Sequence, residues 1–241
     1  MNRGTAYGVG VGPGDPELMT LKACRLIKEN ELIALPGKVP QETVAYKIAV
    51  AAVPELYEKE LVPIVVPMVR DRELLKESHR RAADTIERYL DEGKNVVYLT
   101  LGDPTIYCTF SYIQHLLEAD GYNVELVSGI PSFCAAAAVL KTSLTEWDQE
   151  LHVIPALHNT EGKLELPGSY VLMKSASHMA DVKEMLRRSG HVVQGVENCT
   201  MENQRIYRSL EEIPDDAGYF SLLIAKEPEQ FSLYDRTERP Y

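Results

Sequence analysis

Three times in this chain a hydrophobic run with strand character ends in a glycine-centred turn containing proline, and helical periodicity resumes beyond it. The first junction reads Gly8-Val9-Gly10-Val11-Gly12-Pro13-Gly14-Asp15-Pro16. The second is Tyr98-Leu99-Thr100-Leu101-Gly102-Asp103-Pro104-Thr105-Ile106-Tyr107, and the third Val127-Ser128-Gly129-Ile130-Pro131-Ser132-Phe133. Glycine lets the backbone approach a ligand closely, and the exit of a parallel strand is where open α/β sheets bind their ligands. The repeated device therefore sets both the fold class, α/β, and three candidate binding turns.

Around these junctions strands and helices alternate. Strands are expected at 5–11, 31–35, 60–67 and 95–101. Helices are expected at 18–28, 41–52 and 72–92, the last ending at Gly93, and another runs from the second junction through Glu118. Short connections between such elements imply parallel βαβ units. Ala119-Asp120-Gly121-Tyr122-Asn123 reads as a hinge, dividing the chain into an N-terminal α/β domain, 1–120, and a C-terminal α/β domain, 121–241. Beyond it come strand 124–128, helix 131–140, strands 151–157 and 169–174, helix 178–189, and strands 191–197 and 219–225. With fewer helices per strand, a mixed sheet is expected there, against a mostly parallel one in the first half. The polar tail from Glu227 onward is expected to pack poorly.

Composition narrows the function. With 25 Lys and Arg against 36 Asp and Glu, the net charge is −11, which repels phosphate backbones and argues against nucleic-acid binding. No run approaches the roughly 20 apolar residues of a membrane helix, and the start lacks a signal-peptide core, so a cytoplasmic protein without membrane association is expected. Cys24, Cys108, Cys134 and Cys199 are widely spaced, and the histidines show no paired ligand spacing. Neither disulfides nor a protein-bound metal is expected.

The first junction is not a dinucleotide fingerprint. Its glycines fall at 10, 12 and 14, Pro13 removes an amide that phosphate would need, and the next strand ends Ala-Leu-Pro-Gly without a ribose-binding acid. No Gly-Lys-Ser/Thr follows, so it is not a P-loop either. A ligand lacking phosphates fits these turns better.

The run Gly10-Val11-Gly12-Pro13-Gly14-Asp15-Pro16-Glu17-Leu18-Met19-Thr20-Leu21-Lys22-Ala23 resembles the opening motif of the tetrapyrrole methylase family. Leu101-Gly102-Asp103-Pro104 resembles its second motif and Ser128-Gly129-Ile130-Pro131-Ser132 its third. Val196-Glu197-Asn198-Cys199-Thr200, followed by Gln204-Arg205, resembles its Glu-Asn-Gly-Thr segment, with Cys199 in place of glycine. The likeness runs in order from about residue 4 to 228. Segments 63–68, 99–110 and 128–138 look most like the branch that methylates C20 of precorrin-2 or cobalt-factor II.

That resemblance implies two α/β domains with the active site in a cleft between them, S-adenosylmethionine as cofactor, a tetrapyrrole small molecule as substrate, and a homodimer. By position it implies cofactor contacts at Pro13, Leu101, Gly102, Asp103, Ile106, Pro131, Ser132, Met173 and Cys199. Asp103, Lys174 and Tyr219 are the candidate catalytic residues. Asp103-Pro104 also reads as an N-cap followed by proline at N1, and Asp15-Pro16 repeats the dipeptide. Lys174 could hold a substrate carboxylate or be a solvated strand-end lysine, while Tyr107 and Tyr219 could line a flat macrocycle or belong to the core. Arg70, Arg72, Arg80 and Arg81 form the densest basic cluster, a candidate for carboxylates or a solvated helix face. His152 and His158 read as structural. Competing functions on the same fold are another corrin ring position, an RNA 2′-O-methyltransferase, or a protein-modifying relative. A non-catalytic adenosine-ligand sensor is a further alternative.

Overall fold

A computed structural model describes residues 3–69, 71–156, 162 and 164–228, with no description of the Ser177 side chain. Arg70, His158 and most of the expected tail lie outside the described residues. The chain divides into two compact units, 1–131 and 132–241, each carrying one five-stranded sheet.

In the first unit the strands are β1 (Thr5–Gly10), β2 (Leu32–Pro36), β3 (Glu60–Ile64), β4 (Val96–Thr100) and β5 (Asn123–Val127). Their order is β3-β2-β4-β1-β5, and every pairing is parallel. The helices are α1 (Leu21–Glu29), α2 (Val44–Ala52), α3 (Arg72–Asp91) and α4 (Phe110–Ala119). The strands are apolar almost throughout because both sheet faces are covered. Val9, Ile33, Leu35, Val97 and Leu99 meet α1 and α2 residues such as Leu26, Ile27 and Ile48. The alternate positions Ala6, Leu32, Ala34, Val96 and Tyr98 meet Ile86 and Leu90 of α3 and Phe110 and Ile113 of α4. Thus α1, leaving β1, and α4, following β4, cover opposite faces, although β1 and β4 are neighbours. That divergence opens a crevice at the carboxyl ends of β1 and β4, where the first two glycine turns sit.

Two expectations are corrected here. The strand placed at 124–128 pairs with β1 in register Thr5↔Asn123 through Val9↔Val127, so it belongs to the first sheet. Ala119–Asn123 is accordingly a turn inside the first unit, with Tyr122 N–H donating to Leu117 O at 2.9 Å. The helix after the second junction begins only at Phe110, leaving 101–109 as turns.

In the second unit β6 (Leu151–Pro155), β7 (Ser169–Met173), β8 (Val192–Glu197), β9 (Arg205–Tyr207) and β10 (Ser221–Lys226) lie in the order β6-β7-β10-β8-β9. Only β6 and β7 pair in parallel, so the sheet is mixed as expected. The three-residue β9 escaped the sequence pattern. Helix α5 (Ser132–Leu140), with Ala135, Ala136 and Ala137 buried, packs on β8 and β10. The other face carries Leu172, Val193 and Leu223 against Val182 and Leu186 of α6 (Met179–Ser189). Buried Lys183 of α6 donates to Ile213 O at 2.6 Å and Asp215 Oδ1 at 2.7 Å, clamping the 208–217 loop.

Candidate active site

The three junctions of the first unit are tied together by their own backbone. Val11 N–H donates to Thr100 O at 2.9 Å, linking the ends of β1 and β4. Just beyond, Gly102 N–H donates to Gly12 O at 2.8 Å and Gly12 N–H to Gly102 O at 3.2 Å, a two-bond bridge between the first and second turns. Both glycines are left-handed, with φ of 78° and 71°, a region costly for side-chain-bearing residues. The third turn closes on the second: a Cβ at Gly129 would stand 2.1 Å from Gly102 O, so only glycine fits. At Gly102 a Cβ would stand 3.9 Å from Ile130 O, an ordinary contact, so it is the left-handed φ of 71° that asks for glycine there.

Asp103 holds this arrangement. It is buried, its Oδ1 accepts from Thr105 N at 2.8 Å and Thr105 Oγ1 at 2.5 Å, and its Oδ2 accepts from Gly129 N at 3.0 Å. The N-cap reading is corrected by this geometry, because no helix starts at Pro104. Asp103 instead makes a tight turn with Thr105 and reaches across to the third junction. Asp15 does cap: it accepts from Glu17 N at 2.9 Å at the head of a short 3₁₀ turn, Pro16–Leu18. Pro13 is buried, while Ile106 and Pro131 are half-buried and Tyr107 is exposed with φ 48°. No Lys or Arg occurs in 8–16, 98–107 or 127–133.

A second cluster forms in the other sheet, at one end of its three central strands. The end of β7 brings Met173 opposite Leu222, and the end of β8 brings Glu197 opposite Ser221. Lys174 (φ 58°), the 198–200 turn and Tyr219 therefore share that end. Cys199 is buried, and burial pushes its thiol up to about 11. Its neighbours Asn198 and Thr200 carry the positive φ, 51° and 61°, and Cys199 does not, so a side chain there strains no backbone. Ser132 opens α5 and is half-buried. Sequence reasoning missed the part played by Glu197, a buried carboxylate whose partners, Tyr207 and Gly218, lie far along the chain.

Of the two readings of the basic cluster, Arg80 and Arg81 agree with the helix-face one. Arg80 forms ion pairs with Asp84 at 2.6 Å, with Glu87, and with Asp120 at 2.5 Å, which uses it to join α3 to the end of α4. Arg81 lies 3.9 Å from Glu77 and donates to Ser78 Oγ. His152 stacks on Tyr170 and sits 3.0 Å from Pro167 O, a structural setting. Among the described residues no helix is long and apolar enough to cross a membrane, and no group of three His, Cys, Asp or Glu is placed to hold a metal.

The family described as tetrapyrrole (corrin/porphyrin) methylases matches residues 5–214. A probable cobalt-precorrin-2 C(20)-methyltransferase of Methanocaldococcus jannaschii is 34% identical, over 91% of this chain and 95% of its own length. A precorrin-2 C(20)-methyltransferase of Sinorhizobium sp is 27% identical, over 92% and 94%. Among solved structures, uroporphyrin-III C-methyl transferase from Thermus thermophilus, complexed with S-adenyl homocysteine, superposes with TM-score 0.69 at 24% identity, over 93% of this chain and 92% of that one. This chain belongs to the tetrapyrrole methylase family.

Proposed function

We propose that this protein is an S-adenosylmethionine-dependent methyltransferase of cobalamin biosynthesis that methylates C20 of precorrin-2 or cobalt-factor II. The observation that carries the reading is the cradle of Gly12, Gly102 and Gly129, tied by Asp103 at the crevice of a parallel sheet. It is joined to C20-methylating relatives that match nearly end to end. The residues present fit the cofactor: glycines leave the backbone of the turns without side chains where a ligand would approach, and turns without Lys or Arg suit a cationic, phosphate-free group. By their place in the family motifs, Pro13, Leu101, Gly102, Asp103, Ile106, Pro131, Ser132, Met173 and Cys199 are the residues proposed to hold it.

When bound, the sulfonium supplies an electrophilic methyl group. The chain's part is alignment and exclusion of water, which for an in-line transfer account for much of the rate. Carbonyl oxygens of the turns can face a cation without competing as nucleophiles. Asp103 fixes the turns through three accepted hydrogen bonds, and its Oδ2, which serves one donor, keeps acceptor capacity for the proposed part in loss of the C20 proton. Lys174 is proposed to hold a substrate carboxylate and Tyr219 to face the macrocycle. The protein is further proposed to work as a cytoplasmic homodimer, which light scattering would register as twice 27.0 kDa.

The test is incubation with S-adenosylmethionine and either precorrin-2 or cobalt-factor II, followed by mass and absorption spectra. A product heavier by one methyl group, at C20 by NMR, is expected. Methylation elsewhere on the ring would replace the C20 assignment, and binding of S-adenosylhomocysteine without any turnover would overturn the enzymatic reading.

A further inference from the structure

Glu197 stands at the end of β8 with 8% exposure. Its Oε1 accepts from Gly218 N at 2.8 Å, its Oε2 accepts from the Tyr207 hydroxyl at 2.8 Å, and the Arg205 guanidinium is 3.9 Å away. A buried carboxylate is costly to desolvate, and an apolar side chain of similar size would avoid that cost. Here the charge is spent on holding a turn. Gly218 N–H belongs to the loop that enters β10, and a Cβ at Gly218 would stand 2.5 Å from Glu197 Oε1, so the close approach depends on glycine. Ser221 N donates to Gly218 O at 3.1 Å, closing that turn, and Asn198 N donates to Phe220 O at 3.2 Å, locking it to the end of β8.

Between these ties sit Tyr219 and Phe220. Their rings meet edge to face, with centroids 5.2 Å apart at 80°, yet they remain 51% and 37% exposed. Two large rings held in a fixed turn and left open to solvent present a surface that a flat conjugated ligand would cover. The turn lies at the end of the sheet that also carries Met173 and Lys174.

We infer that Glu197 is a positioning residue, whose bonds to Tyr207 and Gly218 set Tyr219 and Phe220 as a ledge for the face of the tetrapyrrole substrate. This rests on the proposed methyltransferase reading and assigns the ledge to substrate and not to cofactor.

Steady-state kinetics with cobalt-precorrin-2 test it, together with calorimetric binding of S-adenosylhomocysteine and thermal melts. The double variant Tyr219→Leu/Phe220→Leu and the single variant Glu197→Gln should each raise KM about 10-fold, the scale of one aromatic contact. kcat and S-adenosylhomocysteine affinity should be retained. Gln keeps an acceptor for Gly218 N but meets Tyr207 with an NH₂, so the hydroxyl must turn and accept and the charge-assisted bond is lost; Tyr207→Phe removes that bond and should shift KM the same way. Unchanged KM in folded variants overturns the inference, as does a joint fall of kcat, cofactor affinity and melting temperature, which marks a merely structural carboxylate. Should Glu197→Gln fail to fold, Tyr207→Phe decides by the same KM criterion. A wild-type protein that methylates no precorrin-2 species overturns the functional reading and this inference with it. An active wild type with a ledge-insensitive KM overturns this inference alone.

Discussion

At Asp103 two carboxylate oxygens serve three donors, Thr105 N, Thr105 Oγ1 and Gly129 N. An asparagine keeps one oxygen for Thr105 but turns an NH₂ toward the Gly129 N–H, leaving a buried donor unpaired at a cost of about 1–3 kcal/mol. Asp103→Asn is therefore expected to melt lower, by roughly 2–4 °C per kcal/mol in a chain of this size, and to bind S-adenosylhomocysteine more weakly because two turns shift together. Calorimetry of both quantities checks it; an Asn variant matching wild type in both would show that the Asp103–Gly129 tie holds nothing. That Asp103 mattered was legible in the sequence, since Gly-Asp-Pro at a strand exit is conspicuous. Its partner was not legible, because Gly129 lies 26 residues away. The substitution at Cys199 could be located by motif but not judged. Only the backbone shows that the left-handed positions are Asn198 and Thr200, so this one tolerates a side chain.

Elements with uninterrupted apolar runs read correctly, β1, β4 and β10 among them, because strands buried on both faces leave little ambiguity. The misplacements have local causes. The sequence pattern starts helix α4 at Pro104, yet its start is set by Cys108, whose Sγ accepts from Phe110 N at 3.3 Å and whose carbonyl accepts from Ser111 Oγ at 2.8 Å. A cysteine in a capping role carries no sequence signature. The sequence pattern puts strand β5 in the second half because Asp120-Gly121 resembles a linker, whereas a tight turn returns the chain from α4 to pair with β1. The partner of Arg80 across the helices is likewise not legible in sequence, since Asp120 is 40 positions away. It now predicts a stability effect. Arg80→Ala leaves Asp84, Glu87 and Asp120 without their shared cation, and burial already holds the Glu87 carboxyl above its usual value. A network of this exposure is worth on the order of 1 kcal/mol, so a Tm about 2–4 °C lower is expected at pH 7. The difference should narrow toward pH 4, where protonation relieves the repulsion. A gap that is constant with pH would assign the effect to lost packing of the arginine stem.

At the scale of the whole molecule, each unit has its own core, and several titratable groups are sealed into those cores in neutral form. Burial pushes the Cys199 thiol from 9.0 to about 11 and also raises the phenols of Tyr98, Tyr170 and Tyr207. Between pH 9.0 and about 11 the unfolded chain has released the Cys199 proton and the folded chain still holds it. The folded state then binds more protons than the unfolded state, so stability falls as pH rises through that window and is fully present below it. The tyrosines act with the same sign at higher pH, because their unfolded hydroxyls ionise near 10.0. Melting temperature is therefore expected to be flat from neutral pH to about 9 and to decline above it. Cys199→Gly removes one contributor, and its decline should begin later and run shallower, whatever its Tm at pH 7. Scanning fluorimetry of both proteins from pH 7 to about 11 reads this directly. The comparison isolates the thiol, since the tyrosines titrate alike in the two proteins. Parallel curves would show that Cys199 ionises as readily folded as unfolded, contradicting its burial beside the Glu197–Asn198 turn.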